Sequence, residues 1–338
     1  MLRIHFTTQD LARTHVAERP DAMWETVLSL HMLRARYART AFSLWRSEVG
    51  GRLHRDGLSA KVRADLVPLA PNGTYFPDFL TPPEGLIGAE EGVEAVMATP
   101  RELVVRDLEL LERRHGAPAW SLRLADRGTG ARKSLGRMLG SYHRAAVEPY
   151  WGAVCDRVAA DRARRGRALR SGGPAALLES FGPAMRWRPP VLEVDKGRVD
   201  LDIHLRGRGL LLIPSHFCWY RPITLADPDR PPVLVYPIDP DPLWLRPPPG
   251  SAPDPGPALS RLLGATRAAI LRSVADGMTT TEVACQLGVS PAAVSQHTAV
   301  LRESGLMVSL RDGNTVIHTT TALGRAVIEG ESARRRRD

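Results

Sequence analysis

A chain of 338 residues is long enough for two domains or more, and a composition 43% hydrophobic and 25% charged is ordinary for a globular protein, with a sizeable core possible. It has no run of about 18 uninterrupted apolar residues and no basic flank ahead of an apolar stretch in "MLRIHFTTQD", while Cys155, Cys218 and Cys285 lie too far apart for a disulfide framework or a CxxC pair. No membrane span or secretory leader is therefore expected, the expected location is the cytoplasm, and the formal charge of +9, carried almost wholly by arginine, fits a polyanion partner or simply a solvated arginine-rich surface.

Residues 2–6, "LRIHF", alternate like a short strand. Asp21 can cap a helix in which Met23, Trp24, Val27, Leu28 and His31 recur at three- and four-residue spacing, running to about Glu48. "PNGTYFPDFLTPPEG" holds too many prolines and glycines for regular structure. Thr99, Pro100 and Glu102 read as a helix start, with a hydroxyl cap, a first-turn proline and a carboxylate reaching back; Leu103, Leu108 and Leu111 supply the inner face. A further helical stretch runs from Arg132 to about residue 170, with a break at Pro149.

Beyond "SGGP" the pattern turns to short β runs: "PPVLEV", "RVDLDIHL", "GLLLIPSHF" and "PPVLVYP" predict one small sheet packed on helices. Nine prolines between Pro237 and Pro257 forbid a helix interior or a central strand and predict a stiff, extended connector. The expected class is α+β. Residues 1–236 form a helix-rich domain with a small sheet, 237–257 a proline-rich linker, 258–330 a second domain and 331–338 a basic tail.

The second domain is the more sharply written. Leu259, Leu262 and Leu263, then Ile270, Leu271 and Val274, give two apolar faces around Gly264, with Thr266 placed to cap the second. In "MTTTEVACQLGV", Thr279 and Glu282 form a capping box, Val283, Ala284 and Leu287 face inward, and Gly288 can end the helix in the left-handed conformation. Ser290 caps the next helix, Pro291 fills its first position, and Val289 can staple onto Val294. Two helices so joined make a helix-turn-helix. Val294 and Leu301 form an apolar rib, Gly305 stops the helix, "MVSLRDGNTVIHTT" reads as a hairpin turning at Asp312 and Gly313, and residues 321–329 close a winged helix-turn-helix.

The second helix carries small and hydrogen-bonding side chains away from its rib, which suits a major groove about 12 Å wide. Candidate DNA contacts are Ser290, Ala292, Ser295, Gln296, His297, Arg302, Arg311 and Asn314, with Arg302 and Arg311 as positioning charges. His297 has a second reading, as a side chain packed on the preceding helix.

Residues 259–329 resemble the arsenic-repressor (ArsR) family of bacterial winged-helix regulators, on "GATRAAIL" (264–271), "TTTEVACQLGVS" (279–290), "VSQHTAVLRESGL" (294–306) and the wing that follows. The resemblance implies a transcriptional regulator that binds double-stranded DNA as a homodimer on a palindromic operator. Residues 1–258, with "FPDFLTP" and "GRGLLLIPS", resemble the N-terminal region that accompanies this module in some actinobacterial regulators. The chain departs from the family's metal sensors: Cys285 stands alone where they carry Cys-x-Cys, "TALGRAVIEG" holds no Asp, His or Cys, and Thr298 occupies a usual leucine position. No metal and no cofactor are therefore expected.

The N-terminal domain is expected to sense an organic effector or to set dimer geometry. Trp24, Trp45, Trp120, Trp151, Trp187 and Trp219 read as core, and Trp151, Phe217 and Trp219 are the candidate lining of an effector pocket. His216 and Cys218 are too few for a metal site, and "RGTGARKS" (127–134) lacks the glycines of a phosphate loop. With no nucleophile elbow or zinc-protease helix, no enzymatic activity is expected. The alternatives are an N-terminal enzyme with an autoregulatory module, and a winged helix serving as a protein-interaction platform.

Overall fold

The computed structural model describes all residues except 36–38, 72–74, 127–129, 183–184, 196–199, 220, 239–243, 245–256, 275–276, 313–314, 322 and 329–338; at 39–40, 257–258, 311–312 and 315 it describes the backbone alone. The fold is α+β. Two compact units comprise residues 1–35 with 46–240, and 36–45 with 241–338. Among the described residues no helix is long and apolar enough to cross a membrane.

In chain order up to residue 240 the elements are β1 (Leu2–His5), α1 (Thr8–Arg13), β2 (His15–Val16), α2 (Ala22–Arg34), α3 (Arg39–Arg55), α4 (Ser59–Lys61), α5 (Ala89–Ala98), α6 (Arg101–His115), α7 (Ala131–Ala146), α8 (Trp151–Glu179), β3 (Met185–Arg188), β4 (Val191–Val194), β5 (Leu201–His204), β6 (Leu211–Ser215), β7 (Ile223–Thr224) and β8 (Val233–Pro237). Two four-stranded sheets stand where the sequence predicts one. The first has the order β3-β4-β1-β5, with β1 antiparallel to β4 and parallel to β5. The second has the order β2-β6-β8-β7, parallel except for β7. One core joins them, built from Leu2 and Ile4 of β1, Leu192 of β4, Leu212 of β6, Tyr236 of β8 and Val158 of α8. The extra strands are two residues long or, in β3, a four-residue alternation of buried and exposed side chains, too short for periodicity to mark.

The single helix expected from Asp21 to about Glu48 is two. Asp21 does cap it, accepting the amides of Met23 and Trp24 at 2.9 and 3.0 Å, but α2 ends at Arg34 where Ala35 is extended. Every residue from Ala22 to Met32 is buried, including Glu25, Thr26, Ser29 and His31. Such a helix is stable only if its polar groups find partners inside. The Thr26 hydroxyl meets His143 Nδ1 at 2.7 Å and the Ala22 carbonyl at 2.6 Å, and Ser29 meets the Tyr142 hydroxyl at 2.8 Å. The Glu25 carboxylate accepts the Ser215 hydroxyl (3.0 Å) and the amides of His216 (2.7 Å) and Phe217 (2.9 Å), and so ties α2 to the end of β6. Burial pushes both Asp21 and Glu25 up to about 7 and His31 and His143 down to about 4.

Further expectations are corrected. Thr99 does not cap α6: its hydroxyl bonds back to the Ala95 carbonyl at the end of α5, and Pro100 precedes α6 without a side-chain cap. The inner face of α6 is Val104, Asp107, Leu108 and Leu111, while Leu103 is half-buried. Helix α8 runs beyond residue 170 to Glu179, but leaves helical geometry at Gly172 and Gly173 ahead of Pro174. Trp24, Trp45 and Trp187 are core, whereas Trp120, Trp151 and Trp219 are half-buried.

The second unit contains α9 (Pro257–Leu263), α10 (Ala265–Ser273), β9 (Met278–Thr279), α11 (Thr280–Leu287), α12 (Pro291–Glu303), β10 (Met307–Asp312) and β11 (Thr315–Thr320), followed by a helix over 323–328. Ile270, Leu271, Val274, Val283, Val294, Leu301 and Met307 make its core. Leu262 is 73% exposed, so of the predicted α9 face only Leu259 is fully buried. Gly264, at φ 86°, and not Thr266, starts α10. In the proline-rich segment predicted to be an extended connector, most residues lie outside those described; Trp244 is described, and its indole donates to the Ala41 carbonyl at 2.9 Å and meets Phe42 edge-on.

Candidate nucleic-acid interface

Four local devices set the angle between α11 and α12. Thr279 and Glu282 close the capping box: Glu282 N–H donates to the threonine hydroxyl (3.2 Å) and the carboxylate accepts Thr279 N–H (2.6 Å). Gly288 takes the left-handed conformation, φ 66°, that a side chain would resist, and Val289 N–H returns to the Ala284 carbonyl at 3.1 Å. Ser290 then accepts Ala293 N–H at 3.2 Å, and Pro291 opens α12. Val289 packs on the core that contains Val294.

The resulting α12 has two sides. Val294, Thr298 and Leu301 are buried, and Thr298 satisfies its hydroxyl on the Ser295 carbonyl at 3.0 Å. Thus Thr298, which stands where the resemblance leads one to expect leucine, still faces inward, with its hydroxyl paired. Ala292, Ser295, Gln296 and Arg302 are exposed. Ser290 is exposed too, but its side-chain oxygen already serves as the cap. His297 stands between the two readings: its ring is half-buried and Nδ1 is sealed without a hydrogen-bond partner among the described residues, so at most the Nε2 edge can reach outward. Asn314 and the side chain of Arg311 lie outside the described residues.

The wing is a three-stranded sheet, β10-β11-β9, with Met307 opposite Thr320 and Ile317 opposite Thr279. Sequence reasoning missed β9 and the role of His318. This histidine is buried, bonds the Thr280 hydroxyl through Nε2 at 2.9 Å and the Ser309 hydroxyl through Nδ1 at 2.8 Å, and so fixes the wing to the start of α11. Burial, then the nearby Arg302 charge, lowers its pKa. The signal was the alternation Val316, His318, Thr320, whose last two members face inward.

In the N-terminal unit the candidate effector residues are placed differently from one another. Phe217 is fully buried in the turn held by Glu25; Trp151, half-exposed, opens α8 and faces the His143 ring edge-on; Trp219 is half-buried. None of the three lines the cavity of about 350 Å³ found beside α5 and α6. His216 and Cys218 are both buried, and the Cys218 thiol donates to the Arg221 carbonyl at 3.3 Å. Among the described residues no three His, Cys, Asp or Glu side chains are grouped so as to hold a metal ion.

Comparison with known proteins agrees with the geometry of α11 and α12. Residues 262–309 match a helix-turn-helix domain family. The chain carries a helix-turn-helix domain. Residues 94–241 match a family of unknown function, DUF5937. No curated protein and no solved structure matches the chain.

Proposed function

We propose that the protein is a DNA-binding transcriptional regulator of the arsenic-repressor type, without enzymatic activity, that works in the cytoplasm as a homodimer. The observation that carries this reading is α12: a helix whose Val294–Leu301 side is packed and whose Ala292, Ser295 and Gln296 stand exposed, within a matched helix-turn-helix segment. Small side chains let such a helix enter the major groove; a serine and a glutamine can then reach base edges. Arg302, exposed in the last turn, supplies charge toward the phosphates. Two copies related by a two-fold axis would read half-sites roughly 34 Å apart, which makes the operator an imperfect palindrome.

The N-terminal region is the sensor in this reading, and its ligand is an organic molecule. A ligand changes operator affinity only by binding two conformations unequally. Selection of bound sequences from random duplex DNA with the full chain tests the proposal. It predicts enrichment of a palindromic site and affinity that falls steeply with salt. Recovery of unenriched DNA with a shallow salt slope would contradict it.

A further inference from the structure

The cavity of about 350 Å³ beside α5 and α6 falls within the size range of small-molecule sites, about 300–1,000 Å³. Its apolar wall includes Phe79, Pro82, Ala98 and Leu103. Four ionisable side chains also line it, Glu84, Arg106, Asp107 and Arg230, and their pairing is uneven. Arg106 is covered by two carboxylates, Asp107 at 3.2 Å and Asp227 at 2.7 Å. Asp107 is in turn engaged by that guanidinium and by the Phe79 amide at 2.9 Å.

Arg230 and Glu84 are not neutralised in this way. Arg230 donates to backbone carbonyls only, Asp78 at 2.7 Å and Thr81 at 3.5 Å, and forms no ion pair among the described residues. The Asp78 carboxylate, near enough to feel its charge, is engaged through Oδ2 by the amides of Ala226 and Asp227. Glu84, half-buried, has neither a hydrogen bond nor an ion pair for its carboxylate among the described residues. The cavity therefore presents one guanidinium and one carboxylate that do not reach each other, over an apolar wall. Half-buried charges of this kind are stabilised by a partner of opposite sign, and a charge-assisted hydrogen bond is the strong form of that pairing.

We propose that this cavity binds a small zwitterion with an apolar substituent, the chemistry of an α-amino acid, with its carboxylate on Arg230, its ammonium on Glu84 and its side chain against Phe79 and Leu103. This ligand is the organic effector of the regulator proposed above; that role rests on the regulator reading, whereas the binding does not. The site replaces the Trp151, Phe217 and Trp219 grouping as the sensing pocket.

Calorimetric titration of the full chain with L-phenylalanine and L-leucine, and with 3-phenylpropanoate and 2-phenylethylamine as single-charge analogues, tests it. The amino acids bind, and each single-charge analogue of phenylalanine binds about tenfold more weakly or worse than phenylalanine. Glu84→Gln lowers phenylalanine to the level of phenylpropanoate, and Arg230→Gln lowers it to that of phenylethylamine. If Arg230→Gln fails to fold, Glu84→Gln decides the matter, because its carboxylate has no hydrogen bond or ion pair to lose among the described residues. Absence of binding by both amino acids, equal binding of phenylalanine and its analogues, or variants that bind like the parent would overturn the assignment. The same titrations followed by DNA affinity separate the two proposals. Amino-acid binding without any change in operator affinity removes the effector role and leaves the cavity; sequence-specific DNA binding with an unresponsive cavity does the reverse.

Discussion

The polar side chains that shape the winged helix and those that hold the N-terminal unit together bond over different distances along the chain. In the winged helix the bonds of the helix-turn-helix and of the turn after the wing span three residues, Thr279 with Glu282, Ser290 with Ala293 and Thr321 with Gly324, and the buried His318 reaches 38 to Thr280. In the N-terminal unit Glu25 reaches 190–192 residues to Ser215, His216 and Phe217, Asp78 reaches 148 to Ala226, and Thr26 reaches 117 to His143. A local bond can be lost with one turn of helix, whereas a distant one joins elements that have no other reason to meet. The first kind shapes an angle and the second holds a fold.

That contrast orders the expected effects of substitution. Glu25→Ala leaves three buried donors without an acceptor, each costing about 1–3 kcal/mol, so a loss on the order of 5 kcal/mol is expected in urea unfolding of the full chain. A loss under about 1 kcal/mol would show that water replaces the carboxylate. Leu301→Ala in the fully packed winged-helix core should cost about 3 kcal/mol by the same measurement.

Asp21→Asn keeps an acceptor for the Met23 and Trp24 amides while removing a carboxyl that burial raises from 3.8 to about 7. A carboxyl raised on folding favours the folded state at low pH, and its contribution is lost as pH rises through 4 toward 7. The variant should therefore gain stability relative to the parent over that window and hold a constant difference above about pH 7, as read from unfolding midpoints. A pH-independent difference would contradict the burial argument. At the small end, Thr279→Ala should cost about 1 kcal/mol, the usual price of a helix cap.

The same contrast explains what the sequence made legible. Thr279, Glu282, Gly288, Ser290 and Gly305 could be placed because a cap, a stop and a turn are each set by residue types at fixed short spacing. Glu25 could not, because the amides it accepts are contributed by the turn after β6, whose position depends on the whole fold. Thr99 shows the limit of a local rule: it has the right type ahead of Pro100, but its hydroxyl goes to the preceding helix. On α12 the spacing of Val294 and Leu301 told which side is buried, yet not that the His297 ring would be sealed on one nitrogen. The cavity with Glu84 and Arg230 was hidden for the same reason as Glu25, since these two lie 146 positions apart in sequence, from 84 to 230.

The exposed side of α12 is the proposed DNA-reading face, and one comparison tests it. The doubly substituted Ser295→Ala, Gln296→Ala chain should be measured against the parent on a selected operator and on random duplex DNA at one salt concentration. A loss of about 1–3 kcal/mol per missing base contact is expected on the operator, with unchanged affinity for random DNA. Equal losses on both duplexes, or none on either, would mean that this helix does not read DNA.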